Sequence, residues 1–156
     1  MIAVVQRVKN ASVSVKNTIR GKISGGLLVY LGVSVDDSTS DADWMSEKIS
    51  NLRIFDDNDG KMNLSLNDLK SQSSDNGILV ISQFTLLGDV QKGRRPSNAK
   101  AANPEKAKQL YEYFIRNINN KGLLCESGEF QKFMLVNYTN AGPVTIILDS
   151  KKNSEK

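Results

Sequence analysis

Two hydrophobic rhythms run along the chain. Residues 2 to 8 are rich in Val and Ile and predict a strand. Ala11-Ser12-Val13-Ser14-Val15 alternates small or polar residues with Val, the period of a half-buried strand. Gly25-Gly26 opens a wholly apolar run from Leu27 to Val33, expected as a central strand covered on both faces. A helix is predicted over 41–53, capped by Ser40 or Asp41, because Ala42, Met45, Ile49 and Leu52 share one face. Ile78 to Leu87 reads as a second apolar strand, interrupted by Ser82, Gln83 and Thr85. Asn103-Pro104 marks a helix start, a capping side chain followed by Pro at the first helical position. Ala107, Leu110, Tyr111, Phe114 and Ile118 form that helix's stripe, and Gly122 ends it. Residues 123–125, 134–139 and 144–149 predict further strands, with Asn140 to Pro143 as the turn between the last two. About seven strands and two helices, without a linker or repeat, argue one α+β domain over residues 1–150, helices laid on mostly antiparallel sheets. Residues 151–156 are expected to fray.

Composition narrows the chemistry. The chain has 156 residues, one Cys and no His. The missing His excludes Ser-His-Asp and Cys-His relays, imidazole acid–base catalysis and His-ligated metals. One Cys excludes an internal disulfide and a Cys-rich zinc site, and it suits a reducing cytosol. Cys125 has no candidate base and reads as a buried structural thiol. No apolar run approaches the ~18 residues that span a bilayer, and the N-terminus lacks signal-peptide character. A cytoplasmic, soluble protein without membrane association is expected.

Two decoys fall away. Asp56-Asp57-Asn58-Asp59-Gly60 looks like a calcium loop, but the first and twelfth positions would be Phe55 and Leu66, where carboxylates are required. A hairpin turn fits better. Gly32-Val33-Ser34-Val35-Asp36 lacks the second Gly of a nucleophile elbow, and Gly21, Gly25 and Gly26 fit no phosphate-binding loop.

Charge is unevenly placed. Residues 89–108 carry Lys92, Arg94, Arg95, Lys100, Lys106 and Lys108 against Asp89 and Glu105, which accounts for the whole net charge of +4. A solvated loop is one reading, and a polyanion partner is the other.

Two segments hold candidate chemistry: Ser82-Gln83-Phe84-Thr85-Leu86, and Asn140-Ala141-Gly142-Pro143-Val144-Thr145. By spacing alone each could be ordinary structure. Paired in this order, they closely resemble the D-aminoacyl-tRNA deacylases. The resemblance extends through Gln6-Arg7-Val8, Ala11-Ser12-Val13, Gly26 to Val33, Arg53-Ile54-Phe55, Gly60 to Asn63, Gly93-x-Arg95-Pro96-Ser97 and Tyr111-x-Tyr113-Phe114. Residues 129–133 match only loosely. Ala141 stands where bacterial members often carry an acidic residue, which leaves that carboxylate's contact without a counterpart.

The resemblance implies a homodimeric hydrolase of β-rich α+β fold, with a barrel-like sheet layer and two main helices outside, using no metal or organic cofactor. It implies hydrolysis of the ester between a D-amino acid and the 3′-terminal ribose of tRNA, and of glycine carried by the wrong tRNA. Gly142 and Pro143 would be the chirality gate, joined by a cis bond and presented to the partner's pocket. Arg7 would support the gate, Ser82 to Thr85 would line the ester pocket, and Met134 would border the terminal adenosine. Lys92, Arg94 and Arg95 are the candidate tRNA contacts.

Ester hydrolysis needs an oxyanion hole and a nucleophile. The backbone N–H groups of Phe84 and Thr85 are the candidate hole, where one such donor is typically worth about 10²–10³ in rate. Thr85 is the motif's only side-chain nucleophile, and no His or Lys stands nearby in sequence to activate it. A backbone-polarised site assisted by the substrate's ribose 2′-hydroxyl is therefore preferred to a Thr85 acyl-enzyme. A nucleic-acid-binding module without catalysis and a general esterase are the competing classes. Aromatic residues at 6% give the former little stacking capacity.

Overall fold

The computed structural model describes residues 1–153. In chain order its elements are β1 (Ile2–Val15), β2 (Thr18–Ile23), β3 (Gly25–Gly32), α1 (Thr39–Ser50), β4 (Phe55–Asp56), β5 (Met62–Leu64), α2 (Leu66–Leu69) and β6 (Asn76–Ser82). A 3-10 turn at Phe84–Leu87, α3 (Pro104–Asn120), β7 (Leu124–Ser127), β8 (Leu135–Asp149) and a 3-10 turn at Lys151–Asn153 complete it. The fold is α+β, as expected. The main sheet runs β2-β1-β3-β6-β7, with β8 also on β1. Pairing is antiparallel except for the parallel pairs β3–β6 and β6–β7.

Several expectations change. The two N-terminal strands are one. Lys9 and Asn10 do not interrupt β1, because β3 pairs with its first half, β2 with its second, and β8 with most of its length. β2 carries no strong local strand pattern; it is a strand because it folds back on β1. The predicted hairpin at 56–60 is present as β4 and β5. The predicted turn at 140–143 lies inside β8, not between two strands. The predicted strand 78–87 stops at Ser82, and residues 84–87 coil into the 3-10 turn.

The sheet curls until β2 and β7 nearly meet. A Cβ at Gly21 would lie 2.7 Å from the Ser127 carbonyl oxygen, so only glycine admits that approach. The Arg20–Glu129 ion pair, at 2.9 Å, bridges the same seam. One sheet face buries Val5, Leu27, Val29 and Val80 under Met45 and Ile49 of α1 and Phe114 and Ile118 of α3. The concave face buries Val8, Val13, Ile23, Leu28, Leu79 and Ile81. β3 is apolar throughout because both its faces are covered; each fully buried side chain of this size is worth about 1.5–3 kcal/mol.

Helix α1 starts earlier than expected, at a cap formed by Ser38 rather than Ser40 or Asp41. Asp41 is the third helical residue and accepts from the Ser38 N–H at 2.9 Å. It also accepts from the Ser150 hydroxyl (2.7 Å) and Lys151 Nζ (3.0 Å), tying the helix to the last described turn. Of the tail expected to fray, residues 154–156 lie outside the described residues.

Burial works to raise the Asp41 carboxyl, but hydrogen bonds from Ser150, Lys151 and Ser38 outweigh it and hold the group well below its ordinary value of 3.8. As pH falls, the unfolded chain takes up this proton before the folded one. The network's stabilisation is therefore complete above about pH 5 and is lost progressively as pH falls below it. Asp41→Asn is expected to flatten the acid limb of stability, measured as urea midpoints between about pH 6 and about pH 3. An acid limb as steep as the wild type's would count against it.

Candidate active site

The main chain turns sharply where β6 ends. The Gln83 N–H still donates to the Leu31 carbonyl of β3 at 2.9 Å. The turn that follows packs tightly on the end of β3: a Cβ at Gly32 would meet Leu87 at 2.5 Å and the Gln83 carbonyl oxygen at 3.0 Å, so glycine is what admits it. Within the turn only Leu87 is buried, and Phe84 is 56% exposed. Leu86 is the first residue to bond back, to the Gln83 carbonyl. The N–H groups of Phe84 and Thr85 thus open the turn, where no earlier carbonyl of the same turn can reach them. The Gln83 side-chain amide donates to the Thr85 hydroxyl oxygen. An amide in that position does not act as a base.

The second motif is a bulge. Gln6 faces Thr145 and Val8 faces Asn140, so Ala141 to Val144 stand opposite Arg7 alone. Asn140 closes the base of the bulge. Its side-chain carbonyl oxygen accepts from the Val144 N–H (3.2 Å), and its amide donates to the Thr145 hydroxyl (3.2 Å). Gln6 donates to the same hydroxyl at 3.1 Å. Arg7 fills the mouth of the bulge, donating to the Ala141 carbonyl from Nε (3.1 Å) and to the Ile54 carbonyl from Nη1 (2.7 Å). The Gly142–Pro143 bond is cis, and both residues are exposed.

A cavity of about 730 Å³ opens beside the 3-10 turn. Ser82, Gln83, Phe84 and Met134, four of the residues singled out in the sequence, share its wall. Thr85 is next to it but does not line it, nor do Arg7, Gly142 and Pro143. The basic segment reaches its rim. Main-chain bonds join Asp89 to Ser97 (2.8 Å) and Val35 to Lys100 (3.0 Å), and between them Lys92, Arg94 and Arg95 are exposed. Asn98 and Ala101 of this loop line the cavity itself.

Tyr30 and residues 130–133 also line the wall, and nothing in the sequence pattern marks them for it. Phe130 is set there by the Tyr111 ring, 6.0 Å between centroids, and Tyr111 is held in turn by donating to the Val80 carbonyl at 2.8 Å. Cys125 plays no part in this wall. Burial, with Glu126 adding to it, pushes its thiol up to about 12, so it stays protonated, as expected of a structural cysteine.

The curled α+β sheet with this cavity at a strand end is the frame, and the relatives supply the class, the tRNA deacylases. Within that class the chain belongs to the family described as D-Tyr-tRNA(Tyr) deacylase, whose model matches residues 4–149. The chain is 57% identical to a D-aminoacyl-tRNA deacylase of Thermosipho melanesiensis, over 97% of this chain and 99% of that protein. It is 52% identical to one of Clostridioides difficile, over 98% and 99%. Among solved structures, the c-Myc DNA Unwinding Element Binding Protein superposes with a TM-score of 0.85 at 38% identity, covering 96% of this chain and 98% of that one. A probable eukaryotic D-amino acid tRNA deacylase does so at 0.80, covering 94% and 97%; at 16% identity it speaks for the fold alone. Among the described residues no helix is long and apolar enough to cross a membrane.

Proposed function

We propose that the protein hydrolyses D-aminoacyl-tRNA to free D-amino acid and tRNA, with the ester held against the Ser82–Thr85 segment. The observation that carries this reading is the 3-10 turn at Phe84–Leu87, whose leading residue lines the cavity wall in a chain of the deacylase family. Water adds to the acyl carbon, and the N–H groups of Phe84 and Thr85 stabilise the oxyanion. The bond to the ribose oxygen then breaks, and that oxygen receives the proton given up by the water, passed through the neighbouring ribose 2′-hydroxyl. No step calls for a metal or cofactor.

Discrimination falls to Gly142 and Pro143. They are exposed and lie off their own cavity wall, which supports a homodimer in which each protomer's bulge closes its partner's pocket. A rigid wall excludes an L side chain by steric conflict. Glycine has no side chain to exclude, so glycyl-tRNA should pass. The working compartment is the cytoplasm, where aminoacyl-tRNA is found.

Incubation with D-tyrosyl-tRNA and L-tyrosyl-tRNA tests the reading. Loss of the D ester alone is the expected result. Binding without turnover would favour a nucleic-acid-binding module, and equal turnover of small free esters would favour a general esterase. The exposed cations Lys92, Arg94 and Arg95 suit tRNA phosphates. Replacing Arg94 and Arg95 with Gln is expected to reduce the slope of log affinity against log salt by about 0.7–0.9 for each phosphate no longer neutralised. An unchanged slope would remove this loop from the footprint.

A further inference from the structure

The loop between β7 and β8 carries two side chains that the proposed hydrolysis leaves unused. Phe133 lines the cavity beside Met134 yet exposes 84% of its surface. Lys132, also exposed, lines the same wall. The loop is fixed at its root: Glu129 pairs with Arg20 at 2.9 Å, and Phe130 packs on Tyr111. Gln131, with φ of 60°, turns the chain in the left-handed region that non-glycine residues seldom adopt. Lys132 and Phe133 are therefore presented at the cavity mouth by an anchored segment. An aromatic ring this exposed contributes little to the core.

The kinds of group at the mouth match those of an RNA end. Beyond the esterified adenosine, the chain leaving the cavity offers a phosphate and then an unpaired base. Next to Met134, the wall offers an aromatic face, Phe133, and an ammonium, Lys132. Single-stranded RNA is held by this combination, bases stacked on aromatic rings and phosphates met by cations. We propose that Phe133 and Lys132 form a subsite for the nucleotide preceding the terminal adenosine, with Phe133 stacking its base and Lys132 meeting the linking phosphate. This rests on the deacylase reading and extends it from the terminal nucleoside to its neighbour.

The test compares two esters, D-tyrosyl-adenosine and the D-tyrosyl ester of a trinucleotide ending in adenosine. The wild type is expected to prefer the trinucleotide in kcat/KM. Phe133→Ala should collapse that preference by about 5- to 150-fold, the worth of one base–aromatic stack, mainly through KM. Lys132→Gln should lower the salt slope for the trinucleotide by about 0.7. A trinucleotide preference retained in both variants would overturn the subsite alone. So would a change in oligomeric state of Phe133→Ala by sedimentation, which would make the ring an interface between copies of this chain. Wild-type inactivity on both esters would instead overturn the deacylase reading, and the subsite with it.

Discussion

A tRNA ending in 2′-deoxyadenosine is expected to be deacylated about 10²–10⁴-fold more slowly than its ribose counterpart, the usual worth of a positioned acid–base group. Thr85→Val is expected to cost less than about tenfold on the normal substrate. The contrast follows from what surrounds Thr85. Its hydroxyl oxygen accepts from the Gln83 amide, which removes no proton, and the chain contains no His to do so. The N–H groups of Phe84 and Thr85, which open the 3-10 turn, survive any change of the Thr85 side chain. A protein that supplies main-chain polarisation without a base leaves the proton relay to the substrate. The ribose 2′-hydroxyl, adjacent to the ester, is the nearest group able to carry it. Single-turnover rates on the two tRNAs separate chemistry from binding. Full activity on the deoxy substrate, or an acyl adduct on Thr85 detected by mass spectrometry, would reverse the assignment.

The parts of this fold written in local chemistry are legible in the sequence. Asn103-Pro104 announces α3, and the Asn103 side chain does accept from the Lys106 N–H at 2.9 Å. The apolar runs announce β3 and β6, because burial on both faces leaves no polar position. Local pattern fails where pairing decides structure. Thr18-Ile19-Arg20-Gly21-Lys22-Ile23 has two cations, a glycine and an exposed Ile19, yet it forms β2 against β1. Asn140-Ala141-Gly142-Pro143 has turn composition, but β1 is long enough to hold both flanks in one strand, and the surplus residues swell into a bulge. The site divides in the same way. Ser82, Gln83 and Thr85 stand out as polar residues in an apolar run. Lys132 and Phe133 have no pattern to betray them, since only the folded loop brings them to the cavity.

Arg7→Ala is expected to lower the ratio of D to L deacylation by about 10- to 100-fold, the scale of one hydrogen bond from a charged donor. The bulge at 141–144 has no ladder partner of its own, and Arg7 is what spans the gap. Its guanidinium binds the Ala141 and Ile54 carbonyls at 3.1 and 2.7 Å, joining the bulge to the segment before β4. The contact with Asp56 is longer, at 3.3 Å, and that carboxylate's side chain is 53% exposed, so the pair adds little. The carbonyl bonds therefore do the holding. Gly142 reports how close the fit is: at φ of 128° it occupies glycine's territory, and a Cβ there would stand 3.0 Å from Arg7 Nη2. If Gly142 and Pro143 form the proposed gate, removing the guanidinium frees that wall, so hydrolysis of L-aminoacyl-tRNA should rise relative to that of the D ester. Arg7→Lys should recover only part of the discrimination, because one ammonium lacks the fork that reaches both carbonyls. Measured kcat/KM for matched D- and L-tyrosyl-tRNA decides the matter. If D and L rates drop in equal proportion, Arg7 supports the fold in general and not the gate.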